Sequence, residues 1–531
     1  MFARKTGASF LATVAITTLV AACGGGGGGG SFFGSVPGSG SGSGESVPPV
    51  TASRACELLA GKKAAGATVL AAVEVPASGS VPRYCKVTAR IEPALNFEMR
   101  IPNAWNGKLQ YAGGGGFNGS IPALNFISLG ALQQGYVTVS SDSGHQGIDI
   151  DASWAIDNPK AEALFGHLSV PTVMASALEM VKTAYGKAPT RSYFDGCSNG
   201  GREALMNAQR YPDLFDGIVA RAPALNFVGV IGTFNRNEKA MLAPGGLFTP
   251  AKVALLSKAV LAACDAKDGV ADGIVSNPSA CSFDAKTLRC SGGTDTGDSC
   301  LSDAQLAVVD TWTTPSTFAG GAYGNPGWAL SGNEDVAGGG WDAWLLGRTS
   351  LQFLFQDSGI KNFIARDTTI DPLTYTYDSN PGALASMSAT MDATSTDLRA
   401  FRGHRGKLIL WHGGSDPALS HKTTTAYYQG VVAAAGGQAE ADAFARYYIA
   451  PGVTHCGGGP GADSNELLAA LDGWVDKASA PEVLASTKLA TDGSVSLARP
   501  LCRYPQYPRY TGPANDAAAA RLAANFSCTS P

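Results

Sequence analysis

Residues 193–203 read YFDGCSNGGRE and contain Gly196-Cys197-Ser198-Asn199-Gly200, a Gly-x-Ser-x-Gly pattern. An apolar run precedes it and helix-forming residues follow. That order puts Ser198 on a sharp strand-to-helix turn with its hydroxyl projecting, and the flanking glycines let strand and helix approach. A hydroxyl is a weak nucleophile at neutral pH, so it needs a base, and the base needs an orienting carboxylate. The chain has six histidines. His455 stands in PGVTHCG, after an apolar run and before a segment with Leu467, Leu468, Leu471, Trp474 and Val475 at helical spacing. Asp416 stands in WHGGSD, just after the preceding apolar run. The order Ser198, Asp416, His455 predicts acyl transfer by a nucleophile, base and orienting acid.

A lone histidine is more often a hydrogen-bonded structural residue than a catalyst. His145, His167, His404 and His421 lack the loop position that follows the last strand. His412 sits at a strand end and is expected to line the site without acting as base. Negative charge developing on a carbonyl oxygen needs preorganised donors. The amide of Asn199, next to the nucleophile, is one candidate. The run Gly113 to Gly116 follows an early apolar run, and Gly116 is the best single position for the other. Two other classes use the same residues or the same surface: a peptidase with this triad, and a non-catalytic binding protein. A binder has no need of all three groups in order.

These residues require a scaffold that brings distant loops to one edge. Short apolar runs at 108–111, 136–140, 192–194, 217–220, 407–411 and 446–449 read as buried parallel strands, with helical stretches such as 177–185 between them. Strand alternating with helix predicts an α/β class protein, specifically the α/β-hydrolase fold. The rhythm disappears over 228–401, which is Gly-rich and carries tryptophans, cysteines and a helical stretch at 250–263. That segment is expected to be a large inserted lid domain, with the catalytic domain in two pieces, 51–227 and 402–531.

With 39 Lys plus Arg against 43 Asp plus Glu, and no basic run, the chain has nothing to neutralise a phosphate backbone, so nucleic acid is not an expected partner. Residues 1–23 carry early basic residues, a short apolar run and Leu19-Val20-Ala21-Ala22-Cys23. They read as a lipoprotein-type export signal with Cys23 as the acylated residue, so the chain is expected to be exported, as an outer-membrane lipoprotein or a secreted protein. Residues 24–50 are Gly-, Ser- and Pro-rich and read as a flexible tether. Setting Cys23 aside from 11 cysteines leaves an even number, as expected of disulfides in an exported protein. Parity does not decide connectivity. Spacing suggests the local pairs Cys56–Cys85, Cys264–Cys281, Cys290–Cys300 and Cys502–Cys528, leaving Cys197 and Cys456 for each other.

Cys197 adjoins the nucleophile and Cys456 adjoins the base, so a working triad brings the two within disulfide reach. This Cys-Ser, Asp, His-Cys arrangement resembles the tannase and feruloyl esterase family of α/β-hydrolases, over roughly residues 53–528. The resemblance extends to PGVTHCGGGPG at 451–461 and RPLCRYPQ at 499–506. It implies a serine carboxylesterase that cleaves small aromatic acid esters, of the hydroxycinnamate, gallate or terephthalate monoester class, through an acyl-enzyme. The segment 264–274, CDAKDGVADGI, resembles the family's calcium loop, with Asp265, Asp268 and Asp272 as side-chain ligands and Val270 and Ile274 as carbonyl ligands; hard oxygen donors at this spacing suit Ca²⁺ in a structural role. The segment WDAWLLG at 341–347 resembles one whose second tryptophan, here Trp344, packs on the aromatic acyl group. Members of the family that act on terephthalate monoesters place an arginine for the free carboxylate shortly after it. Here the nearby arginine is Arg348, in a different position, and it is the candidate substrate contact.

Overall fold

The computed structural model describes residues 50–531 except Asn125 and Asn515. The expected export signal, Cys23 and nearly all of the tether lie outside the described residues.

A ten-stranded mixed sheet organises the protein. Its first four strands, β1 (Lys63–Ala64), β2 (Ala67–Val75), β3 (Tyr84–Ile91) and β4 (Leu95–Pro102), form an antiparallel meander. Then come β5 (Lys108–Ala112), β6 (Val137–Ser141), β7 (Arg191–Cys197) and β8 (Gly217–Arg221). Two short strands, β9 (Ser316–Phe318) and β10 (Tyr323–Asn325), pair only with each other. The chain returns to the main sheet with β11 (Lys407–Gly413) and β12 (Ala445–Ala450). The spatial order is β1-β2-β3-β4-β6-β5-β7-β8-β11-β12, parallel from β6 onward. This is the α/β-hydrolase arrangement, and each of the six expected parallel strands is present.

The central strands are apolar because both faces are covered: β8 is buried throughout, and β7 and β11 are buried apart from their first residues. The helix Ser169–Tyr185 contributes Val173, Met174, Ala177, Met180 and Val181 to the main core. Its apolar face extends well beyond the expected 177–185. On the opposite side, the helix Leu467–Lys477 buries Leu467, Leu471 and Trp474 against Val219, Ile409 and Trp411.

The antiparallel meander is absent from the strands expected from apolar runs. Strand β2 shows the reason: it carries an apolar run, Val69 to Val73, but most of its residues are half-buried or exposed, so it lacks the burial on both faces that marks the parallel strands. Three small pairings near the C-terminus, which involve 464–465, 484–489, 495–501, 507–510 and 526–529, escape notice for the same reason.

Between β8 and β11 the described chain adds no strand to the main sheet. The segment nevertheless shares its apolar cluster with the catalytic half: Phe234, Trp312, Trp328 and Trp341 pack in the same cluster as Ala418 and Leu419, the residues just after Asp416. The helix Phe227–Met241 is buried along almost its whole length, Phe227 and Ile231 packing with Phe117 and Phe165. Five disulfides are present: Cys56–Cys85, Cys197–Cys456, Cys264–Cys281, Cys290–Cys300 and Cys502–Cys528.

Candidate active site

Parallel register aligns the carboxyl ends of the central strands, with Cys197 opposite Arg221, Arg221 opposite Trp411, and His412 opposite Ile449. The loops after β7, β11 and β12 therefore emerge along one edge, and they carry Ser198, Asp416 and His455. Ser198 has φ 62° and ψ −119°, a conformation that non-glycine residues rarely adopt. It is held there because its N–H donates to the Arg221 carbonyl at 3.0 Å while the helix Asn199–Arg210 starts immediately after it. Gly196 permits the turn, since a Cβ there would lie 2.6 Å from the Gly200 backbone.

His455 Nδ1 lies 2.8 Å from Asp416 Oδ2. The other Asp416 oxygen accepts the N–H groups of Ala418 and Leu419 at 2.8 and 3.0 Å. Burial alone would raise the Asp416 carboxyl, but attraction to His455 and the hydrogen bonds from His412 and His455 outweigh it. The group is held well below the usual carboxylate range. The Cys197–Cys456 disulfide, with Cα atoms 5.9 Å apart, ties the residue before Ser198 to the residue after His455. No hydrogen bond joins Ser198 to His455 among the described residues. Such contacts are often long before substrate binds.

Ser198, Asn199 and Gly116 border one cavity. Gly116 has φ +54°, and a Cβ there would lie 2.2 Å from the Asp149 carbonyl oxygen, so only glycine fits. The backbone N–H groups of Gly116 and Asn199 have no hydrogen-bond partner among the described residues. The rest of the wall is apolar: Phe117, Phe227, Phe355 and Trp344, with Val230, Ile231, Phe234, Ala418 and Leu419. Among the described residues, no ionisable side chain lines it. Trp344 stands edge-on to His455 with ring centroids 5.0 Å apart and lies roughly parallel to Phe355 at 6.4 Å. A larger cleft elsewhere, bordered by Phe283, Trp328 and Tyr504, contains neither Ser198 nor His455.

Two expected substrate contacts need correction. His412 is fully enclosed, its ring nitrogens 2.8 Å from Thr424 Oγ1 and 2.9 Å from the Leu419 carbonyl oxygen, with Nε2 also 3.2 Å from Asp416. It lies behind the acid and does not face the cavity. Arg348 is exposed, its guanidinium 5.4 Å from the ring centre of Phe353, and it does not border the cavity. A residue without a motif of its own, Phe117, was missed. It follows the glycine run directly, and its ring meets Phe227, Phe355 and Phe363 edge to face.

In the acidic loop, Asp265 accepts the N–H of Gly273 at 2.8 Å, Asp268 accepts those of Val270 and Ser276, and Asp272 pairs with Arg499. No three acidic, imidazole or thiol groups converge as a preformed metal cage among the described residues. The donor chemistry does fit a hard cation, because every donor is oxygen. Burial pushes Asp268 up to about 6 and also raises Asp272, opposed by Arg499 and reinforced by Asp265. Arg499 pairs with Asp272, and the loop's own cation, Lys267, donates to the Ala280 carbonyl at 2.8 Å.

Comparison with known proteins agrees with this geometry. The family model "Tannase and feruloyl esterase" matches residues 79–529. The chain is 34% identical to mono(2-hydroxyethyl) terephthalate hydrolase of Piscinibacter sakaiensis, covering 92% of this chain and 90% of that protein. It is 28% identical to feruloyl esterase B of Aspergillus niger, covering 88% and 91%. The crystal structure of feruloyl esterase B from Aspergillus oryzae superposes with a TM-score of 0.80 at 23% identity, covering 90% of this chain and 99% of that one. The fold is that of the α/β-hydrolases. This chain belongs to the tannase and feruloyl esterase family and is a carboxylic ester hydrolase.

Proposed function

We propose that the protein is an exported serine esterase that cleaves esters of uncharged aromatic acids through an acyl-enzyme. The observation that carries the serine mechanism is the 2.8 Å contact between His455 and Asp416, with the Cys197–Cys456 bond placing the histidine loop against the nucleophile turn. In this reading Ser198 Oγ attacks the ester carbonyl, and its proton passes to His455 Nε2. Asp416 holds Nδ1–H and stabilises the imidazolium. The N–H groups of Asn199 and Gly116 receive the developing oxyanion. His455 then protonates the departing alcohol, and water, deprotonated by His455, releases the acid and restores Ser198.

The apolar wall supports the choice of acyl group, with Trp344 and Phe355 offering ring faces. A free carboxylate buried there without a partner would cost several kcal/mol. The similarity to a terephthalate monoester hydrolase favours a second reading, in which that monoester is the substrate. The absence of an ionisable group from the wall weighs against it.

Export rests on residues 1–23, and lipid anchoring to the outer-membrane surface on Cys23. In the acidic loop, Asp265, Asp268 and Asp272, with the carbonyls of Val270 and Ile274, would hold Ca²⁺ as a structural ion.

The deciding experiment is turnover of a panel of esters by wild type and Ser198→Ala. Alkyl benzoates and cinnamates are expected to be cleaved at least as well as mono(2-hydroxyethyl) terephthalate. The variant is expected to lose ~10⁴-fold or more in kcat, as triad losses typically do. Retention of more than about one per cent of activity by Ser198→Ala would remove the serine mechanism. A strong preference for the terephthalate monoester would establish the second reading.

A further inference from the structure

Glu203 lies one turn into the helix that begins after Ser198, and its carboxylate is buried and faces the glycine run. One oxygen accepts the Gly114 N–H at 3.0 Å. The other accepts the Asn118 side-chain amide at 2.8 Å and lies 3.3 Å from the amide of Asn199 and 3.4 Å from the Ser143 hydroxyl. The Asn199 amide also donates to Asn118 Oδ1 at 3.2 Å. One carboxylate therefore grips the residue two positions before Gly116, the residue two positions after it, and the side chain of Asn199.

The neighbouring backbone reinforces this. Gly200 N–H donates to the Gly114 carbonyl at 2.9 Å, so the glycine loop rests on the first turn of the nucleophile helix. Arg202, fully buried, donates to Asn199 Oδ1 at 2.6 Å and to the carbonyls of Phe165 and Gly166, tying the Asn199 side chain to that segment.

We propose that Glu203 is a positioning residue for the oxyanion donors: it sets the distance between the N–H groups of Gly116 and Asn199 without touching substrate. The inference rests on the reading of those two amides as the oxyanion site. Hydrogen bonds to an ionised acceptor are shorter and stronger than neutral ones, and a carboxylate accepts on both oxygens, so an acid can clamp two loops where an amide cannot. Glu203→Gln keeps the shape but turns an NH₂ toward either Gly114 N–H or the Asn118 amide, setting donor against donor.

The experiment measures kcat, KM, affinity for benzeneboronic acid and melting temperature for Glu203→Gln. The boronic acid adds to a serine hydroxyl and presents a tetrahedral, oxyanion-like centre. The expected result is a ~10–100-fold fall in kcat with KM within about twofold, and a parallel loss of boronic acid affinity, given that losing one oxyanion donor outright costs about 10²–10³-fold. Asn118→Ala removes the link after Gly116 together with the Asn118 contacts to Asn199 and Ser143, keeps the Glu203 bonds to Gly114 and Asn199, and should show the same split; it serves as the test if Glu203→Gln does not fold. Unchanged kcat, or a fall in kcat with boronic acid affinity intact, would overturn the proposal. So would a rise in KM matching the fall in kcat. Ser198→Ala in the same assay keeps the two readings separate: activity or boronic acid binding surviving that change removes the serine mechanism, whatever Glu203 does.

Discussion

At the scale of single residues, the geometry separates side chains that neighbour one another in sequence. Trp344 and Arg348 lie four positions apart, yet the tryptophan borders the cavity beside His455 while the arginine sits outside on Phe353. Trp344→Ala is therefore expected to reduce kcat/KM for aryl esters about tenfold, the order expected from losing an aromatic contact of about 1 kcal/mol with some buried area. Arg348→Ala should leave kcat/KM within about twofold for neutral and charged esters alike. Steady-state kinetics on a benzoate ester and a terephthalate monoester check both, and a selective loss on the charged ester in Arg348→Ala would restore the arginine as a substrate contact. His412 and Glu203 illustrate the complement. Neither reaches the cavity wall, but one contacts the acid and the other the glycine loop.

At the scale of elements, the helix Phe227–Met241 joins the cavity to the inserted segment. Its first half supplies Phe227, Val230, Ile231 and Phe234 to the wall. Further along, Glu238 accepts the Ser350 hydroxyl at 2.7 Å, and its second oxygen has no partner among the described residues. Burial pushes this carboxyl up to about 8, with the Ser350 bond opposing. In the folded chain the group stays protonated to about that pH, while in the unfolded chain it ionises near its ordinary value of 4.5. Its contribution to stability is therefore full below about 4.5 and declines as pH rises, until it is lost above about 8. Glu238→Gln keeps the group neutral at every pH. Thermal melts at pH 5 and pH 9 should show a smaller fall for the variant than for wild type. Equal slopes would show that Glu238 ionises without cost.

At the scale of the whole molecule, the Cys197–Cys456 bond closes a span of 259 positions that includes the entire inserted segment. Closing so long a loop restricts the unfolded chain by roughly 5 kcal/mol in the entropic account, although such bonds often contribute less. The same bond aligns two loops, and a displacement of about 1 Å in a catalytic group can cost on the order of a hundredfold in rate. Replacing both cysteines by alanine should thus reduce kcat more than the yield of folded protein at low temperature. Peptide mapping of the oxidised protein is the direct check on the bond. The acidic loop makes a parallel case: chelator should lower the melting temperature and excess calcium restore it, since a ligand of the folded state stabilises by mass action. Protein that carries no calcium by elemental analysis and melts unchanged in chelator would remove the ion from the loop and leave the Arg499–Asp272 pair in its place.

What the sequence determined by itself was local or ordinal. The Gly-x-Ser-x-Gly turn, the order of Ser198, Asp416 and His455, and the apolar parallel strands were legible because each leaves a signature within about ten residues: a turn that needs glycine, a strand buried on both faces, a loop after a strand. The antiparallel strands β1 to β4 are less legible, because β2 is largely half-buried or exposed and the buried β4 carries Glu98 and Arg100 among its apolar residues. Tertiary structure alone decided which aromatic rings meet at the cavity, why His412 is enclosed and Arg348 is not, and how Glu203 comes to grip both sides of Gly116. Those contacts join residues from separate loops, for example Gly114 and Glu203, 89 positions apart, or Trp344 and His455. Burial and charge pairing depend on what the folded chain brings from elsewhere, and no short window of sequence contains that.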